Sequence, residues 1–554
     1  LAPGPALEGL ARRLPFLTPL DRARQWYVCH PLLRDWLQQQ LLPDQRSGLH
    51  AAAARHFLAV AAHEPALEHA QLSGQPEVLA DVLQALAQTL LGLGRIHTLQ
   101  QAFEALPEAI LRQRPALAMF QIWIWLLVGE LKAARDWIEW LAQLPPDSLP
   151  NHDAQLANLR GTVARRTGDL EAMIAYSQQA LAYDSPDLFV PACAWFNLAL
   201  ALMQQESWQQ AEDAFHQAAR WNRQAGNLIT HFAARVCQAR LFLHQGDLDT
   251  AKRAYTDILA SGRQEALQRH SLFGVVQVDL ARIAYEQDEM EACQALLTDG
   301  LALTRLSYNL DSVYGFVNAL KILLDARELK QADALLHEAM QFAQTRHLES
   351  LWQSLQTLRE RLDIFRGKLH KTETGDAWNA LYAALSARDS DKAQRLLDQL
   401  LTQHQEHRLQ RVRLEMLQAR LLELKGEATA ARQQLLQALE TAQRAPSFRS
   451  LLDEASPGLL AWMPSLLAGL RPGFRARLLE SLASRGFQPE AEALSERERE
   501  LLVCLADGLN NKQMEEKLFI SQNTIKTHLK NLYRKLGVGS RTAAVARARE
   551  QGWL

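Results

Sequence analysis

The residues best suited to bind a polyanion lie near the C-terminus of the chain. Between residues 521 and 549 there are seven Lys or Arg residues and no Asp or Glu. The same stretch has apolar residues at helical spacing, which predicts a helix with one buried stripe: Ile525, Leu529, Leu532, Tyr533 and Leu536. The cations fall outside the stripe and point to solvent. Such a helix suits the major groove of duplex DNA, although a basic face that meets only water is an equal alternative.

The segment around the basic helix predicts a four-helix module. Ser495 and Glu498 have the spacing of a capping box and open a first helix. Asn510 or Asn511 caps a second helix, and residues 519–520 form a short turn before the basic helix. An Ala-rich fourth helix follows. Two short helices joined by a tight turn, the second of them basic, form a helix-turn-helix, whose second helix enters the major groove.

Residues 494–550 resemble the DNA-binding domain of the LuxR family of bacterial regulators. The segments that carry the resemblance are Leu-Ser-Glu-Arg-Glu-Arg-Glu at 494–500, Asn-Lys-Gln-Met at 511–514, Phe-Ile-Ser at 519–521, the run from Thr524 to Val538, and Ser-Arg-Thr-Ala-Ala-Val-Ala at 540–546. Thr-Ile-Lys-Thr-His at 524–528 is especially similar to the large MalT-like members of the family.

The resemblance implies roles for individual residues of the basic helix. Lys526, Thr527 and Lys530 would contact bases. A second set would contact phosphates: Ser521, which can also cap the helix, with Thr524, His528, Asn531, Arg534, Lys535 and Arg541. The fourth helix is the family's usual dimer contact. Glu515 departs from the family pattern, because the family usually has Ala there, where the two motif helices cross. Since a buried carboxylate is costly, we expect its charge to face outward.

The central residues, 61–440, predict tandem helix pairs. Similar six-residue motifs begin at Gly129, Gly168, Glu206, Gly246, Gln287, Arg327, Arg388 and Gly426. Each motif combines a turn, acidic residues that suit the start of a helix and a small residue, usually Ala, near its sixth position. One such unit cannot bury its own apolar face, so the units must stack into a TPR-like superhelix, whose concave surface binds peptides or other ligands.

Three tryptophans of the repeats are candidate ligand-binding residues. Trp123, Trp125 and Trp195 could line a groove for a sugar or an aromatic ligand, but packing between helices is the more common role of such residues. Trp123 and Trp125 are two positions apart and cannot both face one side of a helix.

The flanking segments complete an all-α architecture. Residues 1–60 resemble part of a winged-helix domain, and residues 441–493 predict Pro-rich short helices and a linker before a DNA-binding domain at 494–554. His30 precedes a helix that starts with Pro31. It fits a core histidine bonded to the backbone better than a site residue, because no partner cluster accompanies it.

Charge and composition limit the classes of function. Residues 494–554 hold 11 Lys+Arg against 7 Asp+Glu, which leaves 49 against 55 for the rest of the chain. A binding site for a polyanion is therefore expected in residues 494–554 and not over the whole chain. Five scattered cysteines indicate a reducing compartment, the cytoplasm. No catalytic or metal-binding motif is found, so we expect no enzymatic activity and no cofactor in this chain. The MalT-like resemblance implies an ATP-binding domain upstream.

These observations predict a DNA-binding transcriptional activator. Its helical-repeat domain would bind a small-molecule inducer or a regulatory protein and control homo-oligomerisation and promoter binding, with RNA polymerase as a further partner. Two alternatives remain: a helical-repeat interaction scaffold without sequence-specific DNA binding, and a nucleotide-hydrolysing switch that depends on the upstream domain.

Overall fold

The structure is a computed structural model of the 554-residue chain. It describes residues 9–11, 13, 16–20, 27–183, 187–306, 310–345, 349–368, 372–405, 407–487, 496–536 and 538–550. Most of the described residues are helical, which confirms the all-α prediction. None of the described helices is long and apolar enough to cross a membrane. The chain divides into two compact units, residues 1–284 with 290–368 and residues 285–289 with 369–554.

The first unit begins with a small antiparallel sheet. Strands β1 (Leu17–Pro19) and β2 (Tyr27–Cys29) pair with Thr18 opposite Val28, and helix α1 (Pro31–Gln40) follows. A short sheet beside helices agrees with the expected winged-helix region.

His30 caps helix α1. Its Nδ1 accepts a hydrogen bond from the backbone N–H of Leu32 at 3.3 Å, so the predicted bond to the backbone is confirmed. The predicted burial is wrong, because His30 is exposed. The first turn of α1 lies at the surface, where Leu32 is 75% exposed.

The rest of the first unit is a succession of helices in which most helices pack against the next one along the chain. They are α2 (Pro43–Ala59), α3 (His63–Ser73), α4 (Pro76–Gly92), α5 (Ile96–Glu104), α6 (Glu108–Gln113), α7 (Pro115–Val128), α8 (Leu131–Ala142), the 3₁₀ turn Pro146–Ser148, α9 (His152–Thr167), α10 (Leu170–Ala182), α11 (Phe189–Gln204), α12 (Trp208–Gln224), α13 (Leu228–His244), α14 (Leu248–Gln264), α15 (Ser271–Glu286, whose last two residues belong to the second unit), α16 (Met290–Leu306), α17 (Leu310–Asp325), α18 (Leu329–Thr345) and α19 (Glu349–Phe365).

The second unit has the same helical character. Its helices ahead of the basic module are α20 (Ala377–Ser386), α21 (Ser390–Gln403), α22 (Arg408–Leu424), α23 (Ala428–Ala442), α24 (Phe448–Leu452), α25 (Pro457–Leu466), the 3₁₀ turn Leu467–Gly469 and α26 (Pro472–Ser484). The last three α-helices are the short helices predicted for the Pro-rich stretch. Most of the predicted linker, residues 488–493, lies outside the described residues.

The turns of the predicted repeats share one backbone conformation. A left-handed residue stands at Gly129, Gly168, Glu206, Gly246, Arg327, Arg388 and Gly426, with φ between +57° and +96°. A left-handed residue ends one helix so that the chain can reverse into the next. The small residue six positions into the motif is buried, as Ala134, Ala251 and Ala431 illustrate. The sequence pattern therefore identified the helix pairs.

One repeat motif is displaced by a residue from its predicted position. The left-handed residue is Asp288, with φ +60°, not Gln287. The next helix begins at Met290 and buries Cys293, whereas Ala292 is exposed. The prediction was wrong because it aligned Ala292 with the buried alanines of the other motifs.

Candidate nucleic-acid interface

Four helices form the basic module at the end of the second unit: α27 (Glu496–Ala506), α28 (Asn511–Leu518), α29 (Gln522–Leu536) and α30 (Arg541–Glu550). Their buried side chains make one apolar cluster: Leu501, Leu502, Cys504, Leu505, Met514, Ile525, Leu529, Leu532, Leu536, Ala544 and Ala548. The predicted stripe of α29 is confirmed, with Tyr533 partly buried against the same cluster. Burial raises the pKa of the Cys504 thiol, which keeps it a neutral member of the core.

Asn510 caps helix α28. Its side-chain oxygen accepts hydrogen bonds from the backbone N–H groups of Lys512 and Gln513, both at 3.0 Å. The Gln513 side chain in turn accepts from the Asn510 N–H at 2.8 Å. This reciprocal capping box decides between the two asparagines that the sequence left open. The capping box predicted for Ser495 involves a residue outside the described part of the chain.

The turn between α28 and α29 centres on Phe519. This residue has a left-handed backbone, with φ +53°, and is 92% exposed, while Ile520 packs partly against the apolar cluster. Ser521 then caps α29, because its Oγ accepts from the backbone N–H of Thr524 at 3.3 Å. Helix α29 therefore begins at its predicted position, and its first residues are exposed to solvent.

The three candidate base-contacting residues lie together on the exposed side of α29. Lys526, Thr527 and Lys530 are all exposed, and their spacing places them on one face of a helix. Thr527 Oγ1 donates to the carbonyl of Asn523 at 3.0 Å. Because the opposite stripe is buried in the module, this face is available to a partner.

The candidate phosphate-contacting residues occupy more varied positions. Ser521 and Thr524 are exposed, and their hydroxyl oxygens lie 2.9 Å apart. His528 and Asn531 are half-buried. The side chains of Arg534 and Lys535 lie outside the described part of the structure, and so does Gly537, the predicted end of α29.

Arg541 has a partner within the module. Its guanidinium donates a hydrogen bond to the backbone carbonyl of Leu509, and the residue is half-buried. The sequence resemblance gave no sign of this contact, since it assigned Arg541 to the DNA backbone. The contact connects α30 with the segment just before α28. The phosphate contact of Arg541 stays a prediction.

Glu515 lies where the two motif helices meet. It is half-buried, which agrees with the expectation that its carboxylate would avoid the core. Its Oε2 accepts a hydrogen bond from Gln522 Nε2 at 2.9 Å. Gln522 is the first residue of α29, so this bond joins the first motif helix to the start of the second. The sequence pattern gave no sign of it, because it depends on the geometry of the turn.

The tryptophans proposed for a ligand groove pack against neighbouring side chains in the first unit. Trp123 is 4% exposed and meets Phe189 edge-to-face at 5.3 Å. Trp125 packs against Trp137 at 5.5 Å. Trp195 is half-buried beside a cluster of alanines. Ligand binding by these residues stays a prediction.

Family models match three separate parts of the chain. The model of the MalT winged helix domain matches residues 3–49, that of the MalT-like TPR region matches residues 154–471, and that of bacterial regulatory proteins of the luxR family matches residues 492–548. The last range holds all of the candidate base-contacting residues.

Two known proteins resemble larger parts of the chain. The HTH-type transcriptional regulator MalT of Vibrio cholerae serotype O1 is 23% identical over 98% of this chain, which spans 66% of the length of that regulator. The crystal structure of Rap protein complexed with competence and sporulation factor has a TM-score of 0.42 at 11% identity, covering 67% of this chain and 98% of that one. Because the MalT-like TPR model alone matches more than half of the residues, the chain belongs to the MalT-like family, with a DNA-binding domain of the luxR type.

Proposed function

We propose that the chain is a transcriptional regulator that binds duplex DNA through residues 496–550. Helix α29 lies in the major groove, where Lys526, Thr527 and Lys530 meet base edges. The observation that carries the proposal is the division of α29 into a buried apolar stripe and an exposed face that holds these three residues. A helix-turn-helix presents its second helix to DNA in this way.

Phosphate contacts orient the module on the duplex in this proposal. Ser521, Thr524, His528, Asn531, Arg534, Lys535 and Arg541 supply them. Such contacts set register and affinity but carry no base preference, whereas Lys526, Thr527 and Lys530 supply the preference. The absence of Asp and Glu between residues 521 and 549 supports contact with phosphates, because no carboxylate on α29 opposes them.

Selection of duplexes from a random pool, followed by affinity measurements, tests the proposal. Replacing Lys526 with Ala should lower affinity at one base pair by about 1–3 kcal/mol and relax the preference there, while Lys535→Ala should weaken all duplexes alike. Lys425→Ala removes the same charge from an exposed site in the helical repeats and should change neither. A wild-type chain that enriches no sequence would exclude sequence-specific binding and favour the scaffold.

The helical repeats give this binding a means of control in the same proposal. An inducer or a regulatory protein binds to the repeats, promotes a homo-oligomer, and so presents several DNA-binding modules to a promoter and to RNA polymerase in the cytoplasm. Linked modules raise occupancy by effective concentration. The relative named as a transcriptional regulator and the match to a MalT-like TPR region support this role.

A metabolite screen by thermal shift tests the control step, because a ligand that binds only the folded state raises the unfolding temperature. A ligand found in this way should also raise the oligomer size in size-exclusion chromatography and lower the chain concentration needed to occupy a selected duplex. A ligand that stabilises the chain but leaves both quantities unchanged would contradict coupling of the repeats to DNA binding.

A further inference from the structure

The bond between Glu515 and Gln522 fixes a side chain at the front of the basic helix. Glu515 Oε2 accepts from Gln522 Nε2 at 2.9 Å, and Gln522 is exposed as the first residue of α29. An ionised carboxylate can only accept hydrogen bonds. The amide nitrogen of Gln522 must therefore face Glu515, which fixes the orientation of the whole amide.

The fixed amide keeps the atoms needed to read one base. A glutamine amide carries two N–H donors and one carbonyl acceptor. When one N–H binds Glu515, the other N–H and the oxygen remain for a partner. An amide donor beside an amide acceptor is the pattern that pairs with N7 and the N6 amino group of adenine in the major groove.

The charge of Glu515 favours a base over a phosphate as the partner of Gln522. Glu515 is a half-buried residue of α28, and its carboxylate lies 2.9 Å from the amide nitrogen of Gln522. A DNA phosphate brought to Gln522 would be close to this negative charge, and like charges repel. An adenine edge at the same place offers a neutral amino group and N7.

We infer that Glu515 is a positioning residue that holds Gln522 as the reader of one adenine at the edge of the DNA site. The inference rests on the proposed function, since it requires α29 to lie in the major groove. It adds a specificity-determining residue outside Lys526, Thr527 and Lys530. Glu515 then has two effects. Its negative charge lowers the affinity for all duplexes, and its hydrogen bond to Gln522 increases the preference for one base.

Four variants of the full chain separate the two effects. Gln522→Ala should lose the preference for adenine at one base pair, a change of about fivefold to a hundredfold in relative affinity. Glu515→Ala should lose the preference at the same base pair while non-specific affinity rises. Glu515→Gln removes the charge, but its amide can donate as well as accept and so no longer fixes the amide of Gln522. It should weaken the preference for adenine and raise non-specific affinity. Glu516→Ala removes an exposed neighbouring carboxylate and should raise non-specific affinity only.

The readout is the set of sequences that each variant selects from a random duplex pool, with affinities measured for single-base changes. Loss of one adenine preference in both Gln522→Ala and Glu515→Ala, with retention in Glu516→Ala, supports the inference. An unchanged preference in Gln522→Ala, a preference for another base, or identical behaviour of Glu515→Ala and Glu516→Ala would overturn it and leave the proposed function standing. Absence of DNA binding by the wild-type chain would instead remove the proposed function, and this inference with it.

Discussion

Arg541 in helix α30 donates a hydrogen bond to the backbone carbonyl of Leu509, which lies just before helix α28. The two residues are 32 positions apart, so the bond connects the last helix of the DNA-binding module with the entrance to the helix-turn-helix. Arg541 is half-buried, and a hydrogen bond from a charged donor is stronger than one between neutral groups. The side chain therefore helps to hold the module together.

Replacing Arg541 with Ala should destabilise the module by about 1–3 kcal/mol, because the carbonyl of Leu509 loses a charged donor. Hydrogen exchange of the full chain measures this locally, since exchange rates follow local unfolding. We expect faster exchange in residues 508–512 and in α30, with the repeats unchanged. Arg541→Lys, which keeps the charge, should show a smaller effect. If exchange in residues 508–512 is the same as in the wild type, the bond has no structural role.

Leu532 lies on the buried side of α29. Its truncation should destabilise the DNA-binding module and leave the helical repeats folded. Leu532 is 0% exposed, and truncation of a buried Leu to Ala costs about 2–5 kcal/mol. Leu532→Ala should abolish DNA binding and speed hydrogen exchange throughout residues 496–550. Val503→Ala on α27 is the control, since Val503 is 48% exposed and its truncation should change neither property.

Two repeat turns differ in the residue that occupies the left-handed position. Gly426 has φ +81° and Arg388 has φ +57°. Gly426→Ala should lower the free energy of unfolding by about 1–2 kcal/mol, because a side chain disfavours this conformation. Arg388→Gly removes that strain but makes the unfolded chain more flexible, so its effect should stay within about 0.5 kcal/mol of zero. Urea unfolding of the full chain measures both changes. Equal decreases in the free energy of unfolding for the two variants would contradict the left-handed backbone conformations of Gly426 and Arg388.

Asp453 gives the second unit a specific dependence on pH. Burial raises the pKa of its carboxyl to about 6, against the lowering effect of Arg449. Tyr285 donates a hydrogen bond to this carboxyl. Because the folded-state pKa lies above the ordinary aspartate value of 3.8, the folded state binds the proton more tightly. The stabilisation is complete below pH 3.8 and is lost as the pH rises through about 6.

The variant Asp453→Asn isolates this effect, because Asn does not titrate. Between pH 4 and pH 7 the free energy of unfolding of the wild type should fall by about 2 kcal/mol relative to that of the variant. Urea unfolding of both chains at a series of pH values measures the difference. A difference that stays constant over this range, or grows in favour of the wild type as the pH rises, would contradict the assigned pKa.

Local sequence patterns predicted the DNA-binding module well, because its elements depend on residues close together in the chain. The spacing of Ile525, Leu529, Leu532 and Leu536 fixed the buried side of α29, and all four are buried. Asparagine before α28 indicated a cap, and Asn510 supplies it. The exposure of Lys526 follows from the same periodicity.

Features that depend on turns or on distant residues were harder to predict. The bond between Glu515 and Gln522 spans a turn in which Phe519 has a left-handed backbone, a conformation that few residues other than Gly adopt readily. The bond from Arg541 to Leu509 needs the complete module. At Asp288 the pattern was read one residue too early, because exposed Ala292 was aligned with the buried alanines of the other motifs while the buried residue is Cys293.

The dependence of DNA affinity on salt tests the central claim most directly. The full chain should bind a selected duplex with an affinity that falls steeply as salt rises, with a log–log slope of about −0.9 for each phosphate neutralised. Lys535→Ala should make that slope shallower by about one unit, and Lys425→Ala should leave it unchanged. A flat salt dependence, or no binding at low salt, would contradict the account of residues 496–550 as a DNA-binding module.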